Sequence, residues 1–162
     1  MKKRFISIIM TSLLMLILSG CVNPESNEVI NPFNDIQISE TKRIEFRNLT
    51  ITSNQKEVGR SKMITNEVDI KTIEEYLKPI NAVSSNKKQK NPDFVISLID
   101  NMDKEKSYIS SIGISKNQIY IYKYINEETE LYIYKYTDEN VIKDLKELYN
   151  KMNYEEELLM KK

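Results

Sequence analysis

The sequence predicts an α+β domain: an antiparallel meander sheet with two helices packed on one face. Three observations lead there. Four β-patterned segments follow one another at short polar intervals between Phe94 and Tyr136, and short intervals favour antiparallel neighbours. One stretch before this run and one after it repeat apolar residues at helical spacing. The 162 residues, 40% hydrophobic and 30% charged, are enough for a single core without disulfides.

In chain order, the first segment is an address rather than part of the fold. Lys2, Lys3 and Arg4 precede an apolar run from Phe5 to Leu18, then small residues and the only cysteine. The run is shorter than the roughly 20 residues of a spanning helix and fits a signal-peptide core. Residues 22–41 show neither a period of 2 nor one of 3.6, and contain Pro24 and Pro32. They read as a flexible tether; alternatively, Ile36 and Ile38 open the first strand.

Lys42–Thr52 alternates at Ile44 and Phe46, then changes phase to Leu49 and Ile51, predicting a strand with a bulge or short turn near Asn48. Lys62–Thr65 offers a short second strand. Asn66 or Asp69 can cap a helix whose Ile70, Ile73 and Leu77 share one face. Pro79 disfavours helical geometry at Lys78 and should close it. Residues 84–92 form a polar loop carrying Lys87, Lys88 and Lys90, the pattern of a solvated segment or a contact to anionic lipid or wall polymer.

The meander follows: Phe94–Ile99, Tyr108–Ile114, Ile119–Ile125 and Leu131–Tyr136. Thr137 or Asp138 is expected to cap a last helix with the stripe Val141, Leu145, Leu148 and Met152. The tail from Tyr154 extends that helix, with Glu157 and Lys161 at i,i+4, or frays. The expected organisation is a signal at 1–20, a lipidated cysteine and tether at 21–41, a domain at 42–153 and a tail at 154–162.

Within the meander, Tyr120, Tyr122 and Tyr124 alternate with Ile119, Ile121 and Lys123, and Tyr132, Tyr134 and Tyr136 alternate with Leu131, Ile133 and Lys135. Period 2 places each triplet on one face of its strand. An odd loop such as Asn126–Glu130 would oppose Tyr to Tyr and collect all six on one face, with Ile119, Ile121, Ile125, Leu131 and Ile133 on the core side. That face is either a Tyr-rich solvent-facing sheet or a platform for a sugar ring, peptide or protein partner.

Composition narrows the chemistry. The chain has no His and one Cys, which removes Ser-His-Asp and Cys-His catalysis, His-ligated zinc and internal disulfides. With 24 Lys+Arg against 24 Asp+Glu, no basic excess points to nucleic acid. Asp100, Asp103 and Glu105 lack the spacing of an EF-hand loop and read as a charged turn. Ser107, Ser110 and Ser111 sit in no Gly-x-Ser-x-Gly elbow. No catalytic residue, metal site or cofactor is implied.

Leu18-Ser19-Gly20-Cys21 resembles the lipobox of bacterial lipoproteins. The resemblance implies cleavage after Gly20, fatty acylation of Cys21 and residence on the outer face of the cytoplasmic membrane; two acyl chains anchor stably where one is marginal. Removing Lys2, Lys3 and Arg4 lowers 24 basic residues to 21 against 24 acidic, a net charge of −3. The tether, Asn91-Pro92-Asp93 opening a strand, and the Tyr-rich hairpin leading to a last helix are similar to small lipoproteins of low-GC Gram-positive bacteria, including the YhfM-like kind. The expected function is a non-enzymatic, membrane-tethered binding module for a protein, peptide or envelope component such as a glycan. An inhibitor or immunity-type protective lipoprotein and a carboxylate-dependent hydrolase of cell-wall glycan are the competing readings.

Overall fold

Isoleucine and phenylalanine at alternate positions build the centre of the molecule. The computed structural model describes residues 28–36, 38–52, 56–87, 91–101, 108–125 and 128–160. Cys21 and its signal segment lie outside them, as do Lys88, Lys90, Asp103, Glu105 and Ser107. The strands are β1 (Val29–Ile30), β2 (Arg43–Asn48), β3 (Glu57–Ile64), β4 (Ala82–Ser84), β5 (Phe94–Ile99), β6 (Tyr108–Ser115), β7 (Gln118–Ile125), β8 (Glu128–Lys135) and β9 (Glu156–Met160). Helix α1 (Glu67–Leu77) follows β3, and α2 (Val141–Lys151) lies between β8 and β9. The chain is α+β: one open antiparallel sheet in the order β1-β4-β8-β7-β6-β5-β2-β3-β9, with two α-helices.

Register aligns the apolar positions. Ile44 pairs with Leu98 and Phe46 with Ile96; Ile96 and Phe94 meet Ile112 and Ile114, which meet Ile121 and Ile119. All are buried, and they form one cluster with Ile70, Ile73 and Leu77 of α1 and Val141, Leu145 and Tyr149 of α2. Each such side chain stabilises the fold by about 1.5–3 kcal/mol before entropy is counted. Phe46 packs edge-on to Tyr149 at 5.2 Å.

Asn66 caps α1, its side chain accepting the Val68 N–H at 2.8 Å. Lys78 keeps helical dihedrals (φ −51°, ψ −39°) although Pro79 follows, so the proline ends the helix by lacking an N–H to donate rather than by extending Lys78. At α2 neither Thr137 nor Asp138 caps. The cap position is Asn140, without a side-chain bond, and Asp138 accepts the Asn140 N–H at 2.9 Å in a turn one step earlier. The Tyr76 hydroxyl donates to the Val141 carbonyl at 2.9 Å and ties α1 to the start of α2.

Three segments depart from the sequence expectation. Residues 28–41 do not behave as a tether: β1 pairs with β4, and Phe33, Ile36 and Ile38 are buried. The tail neither extends α2 nor frays; it returns as β9 along β3, with the Tyr154 hydroxyl accepting the Asn66 N–H and donating to Asp69. The second strand runs over all of 57–64 rather than beginning at Lys62; near Asn48, of the expected bulge or short turn, it is the turn that forms, at Leu49-Thr50. Gly59 (φ +147°) marks a bulge in β3; a Cβ there would lie 2.6 Å from the Asn48 carbonyl oxygen, so only glycine fits.

One charged residue occupies a core position. Lys62 lies opposite Phe46 on the isoleucine face, and its ammonium donates to the Tyr149 and Met152 carbonyls at 3.0 and 2.7 Å. It stands 4.6 Å from the centre of the Tyr149 ring. These carbonyls belong to the unpaired C-terminal end of α2, where a cation is favoured. Lys62→Met should therefore take the lysine donor from the Tyr149 carbonyl and leave Met152 with only the Tyr154 N–H, lowering folding stability by about 1–3 kcal/mol, measured by chemical denaturation; an unchanged midpoint would refute the assignment.

Candidate functional site

The tyrosine hairpin has an even loop. The β7–β8 ladder runs from Gln118↔Lys135 to Ile125↔Glu128, leaving two residues between the strands. Tyr120 is therefore opposite Ile133 and Tyr122 opposite Leu131, whereas Tyr134 is opposite Ile119 and Tyr132 opposite Ile121. The expected single face of six tyrosines is not formed. Tyr–Ile and Tyr–Leu cross-strand pairs gain about as much as Tyr–Tyr pairs, so tyrosine segregation does not set the register; the short connection does.

The six residues separate into distinct environments. Tyr134 packs half-buried against the isoleucine face, and Tyr136 is buried past the end of β8, donating to the Ser115 carbonyl at 2.7 Å. Tyr132 is on the isoleucine side at the hairpin tip, donates to Glu130 at 2.6 Å and lies beneath Lys123, 5.4 Å from its ring centre. Tyr120, Tyr122 and Tyr124 occupy the opposite face. Tyr120 is fully buried there because its ring lies across Gly113, where a Cβ would stand only 3.2 Å away. Its hydroxyl donates to Gln118 at 2.6 Å.

That opposite face is polar at its middle. Ser97 and Ser111 bond at 2.9 Å, Arg47 forms an ion pair with Glu45, and the Tyr108 hydroxyl donates to Glu45 at 3.0 Å. Tyr108 was not singled out by alternation, because counting from Ser110 assigns it to the isoleucine side. A register shift between Leu98 and Ile99 makes Ile109 the extra residue and turns Tyr108 over. Its ring then lies 6.4 Å from that of Tyr124.

Burial falls steadily along β7 and stays low in the first half of β8. At this distal end Ile109, Tyr124, Ile125, Leu131 and Tyr132 are between 39% and 47% exposed; Ile125 and Tyr132 are on the isoleucine side of the hairpin, and Tyr124 and Leu131 on the opposite face. Beside it a cleft of about 310 Å³ opens between the N-terminal segment and the sheet. Ile36, Leu98, Ile109 and Ile125 give its apolar lining, and Asp35, Glu40 and Lys123 its charges. A larger cleft of about 750 Å³ lies at the other end, where Lys116, Lys135, Lys143 and Lys146 are interspersed with Asp93, Asp138 and Glu139. Both clefts carry charges of both signs; the smaller one adjoins the exposed apolar side chains of the hairpin and is the better candidate.

Among the described residues no group of His, Cys, Asp or Glu is placed to hold a metal. No family model, curated protein or solved structure matches the chain.

The phenols report on packing. Burial pushes Tyr134 and Tyr136 upward, and the Glu130 carboxylate does the same to Tyr132 through its hydrogen bond. Burial also carries Tyr76 and Tyr149 well above the ordinary 10.0. The folded state thus keeps phenolic protons that the unfolded chain releases, and its stability holds below pH 10.0 and falls above it. Spectrophotometric titration should show part of the tyrosine signal delayed until the fold is lost; simultaneous ionisation of all tyrosines near the ordinary value would contradict this.

Proposed function

We propose that this chain is a lipid-anchored domain on the outer face of the cytoplasmic membrane that binds a protein partner through the distal end of the β7–β8 hairpin. The observation that carries the binding reading is the exposure of Ile109, Tyr124 and Ile125 in the lining of one cleft, with Leu131 and Tyr132 exposed on the neighbouring strand. Large apolar and aromatic side chains exposed at a cleft are the usual anchors of a protein interface. In the same reading both helices cover the isoleucine face, supported by the single buried cluster they share with it.

The anchor rests on the Leu18–Cys21 motif. No helix among the described residues is long and apolar enough to cross a membrane. Because packing already begins at β1, only residues 22–28 separate Cys21 from the domain, a reach of at most about 25 Å when extended. The domain therefore sits close to the headgroups, with its contacts made near the membrane surface.

Two measurements test the proposal. Mass spectrometry of the mature protein should find an N-terminal, acylated Cys21, and Cys21→Ser should abolish processing; an unmodified Cys21 would remove the anchor. A photo-crosslinking residue at Tyr124 or Leu131 in living cells should give a protein adduct that the same residue at exposed Val68 does not. Equal labelling at all three would sink the binding site. An adduct with one stoichiometric protein would specify an inhibitor or immunity-type role, and glycan hydrolysis lost in Glu40→Gln would replace the binding reading with an enzymatic one.

A further inference from the structure

One wall of the smaller cleft is fixed by the core. It is the N-terminal segment that carries Asp35 and Glu40, in which Phe33, Ile36 and Ile38 are buried. The Ile36 and Thr41 N–H groups donate to the Phe33 and Ile38 carbonyls at 3.0 and 3.1 Å. The Thr41 hydroxyl then donates to the Ile99 carbonyl of β5 at 2.7 Å. The two carboxylates thus stand on backbone that is already ordered, so little entropy is lost in presenting them to a partner.

The apolar lining has a buried part, Ile36 and Leu98, and an exposed part, Ile109, Tyr124 and Ile125. At about 310 Å³ the cleft is at the lower end of the range for small-molecule sites. It suits an apolar side chain anchored from a partner protein.

The charges of the lining are not equivalent. Lys123 is directly opposite Glu130 in the β7–β8 ladder, and its ammonium stands 5.4 Å from the centre of the Tyr132 ring. Its charge is met within the hairpin. Asp35 and Glu40 are exposed, and neither side chain forms an ion pair or hydrogen bond with another described residue. A partner that covers the cleft takes water from both carboxylates, which is costly unless a cation replaces it.

We infer that the cleft takes a basic-apolar segment of the partner: an apolar side chain between Ile36, Leu98 and Ile125, with neighbouring lysine or arginine side chains pairing with Asp35 and Glu40. This chemistry rests on the protein contact proposed above and specifies which protein surface fits it. An anionic surface would meet the two carboxylates and be repelled, and a neutral one would leave them desolvated without a counter-charge.

A photo-crosslinking residue at Tyr124 of the full chain in living cells reports the contact, with the yield of its protein adduct as the readout. Asp35→Lys combined with Glu40→Lys should lower that yield about tenfold, since each change turns an attraction across the interface into a repulsion. Asp35→Asn combined with Glu40→Gln should lower it about threefold by the same reasoning, and carries the test should the charge-reversed variant melt at a lower temperature. Glu67→Lys combined with Glu75→Lys makes the same change of net charge at exposed positions on α1 and should leave the yield unchanged. Mass spectrometry of the adduct should find lysine or arginine beside the crosslinked residue of the partner. Reversing that residue to glutamate should weaken the wild-type adduct and be rescued by Asp35→Lys with Glu40→Lys. A yield indifferent to both cleft variants, an equal loss in the α1 variant, or a crosslinked segment without lysine or arginine would overturn the basic-apolar assignment and leave the protein contact itself standing. Absence of any adduct in the wild type would remove both.

Discussion

Helix α2 ends in carbonyls that have no helical partner, and β3 supplies Lys62 to meet those of Tyr149 and Met152. A lysine this deeply buried costs several kcal/mol unless hydrogen bonds replace its hydration. Here two carbonyls, the Tyr149 ring and, at 3.9 Å, Glu156 surround it. The arrangement orders events along the chain. With α2 held over Phe46 at its last turn, residues 153–155 must reverse direction, and the returning chain falls beside β3 as β9. Tyr154 fixes that return at the N-terminus of α1 through Asn66 and Asp69. Strand β3, helix α2 and strand β9 are thus one unit, joined by an ion at a position where alternation alone would call for an apolar residue.

The same fact explains what could and could not be seen in the sequence. Strands β5, β6 and β7 announce themselves because their inward positions are Phe, Ile and Leu, and α1 because Asn66 precedes a clean apolar stripe. Strand β3 turns Arg60 and Lys62 to the isoleucine side, so only its last residues carry a β pattern. β1 and β4 have two and three residues, too few to show any period. β9 reads as a helical continuation, since Glu157 and Lys161 stand at i,i+4; it becomes a strand because β3 offers unpaired backbone groups. Such peripheral strands owe their conformation to a neighbour rather than to their own side chains.

The tyrosine hairpin fails at the level of parity. Each strand was legible, yet the relation between them depended on whether the loop held an odd or even number of residues. One residue more would have moved every side chain of β8 to the other face. The bulge at Ile109 acts likewise on Tyr108, which joins Tyr124 on the face that simple counting denies it. Candidate site residues in an antiparallel sheet are therefore less legible than the sheet itself, because they inherit every uncertainty of loop length and bulge between them and the core.

The distal cluster stands where the fold asks least of the sequence. Tyr124, Ile125, Leu131 and Tyr132 lie past the buried core, and their exposure means that they contribute little to its stability. Polar residues there would keep the hairpin soluble at small cost, as on the remaining surface of the sheet. Tyr124 and Ile125 instead line a cleft that also gathers Asp35, Glu40 and Lys123. This end of the molecule combines apolar area with a few charges, and on that combination the proposed binding surface rests. The opposite cleft, formed where α2 begins, also joins apolar lining from Tyr136 and Ile142 to charges of both signs. What sets the hairpin tip apart is the exposed apolar side chains beside its cleft.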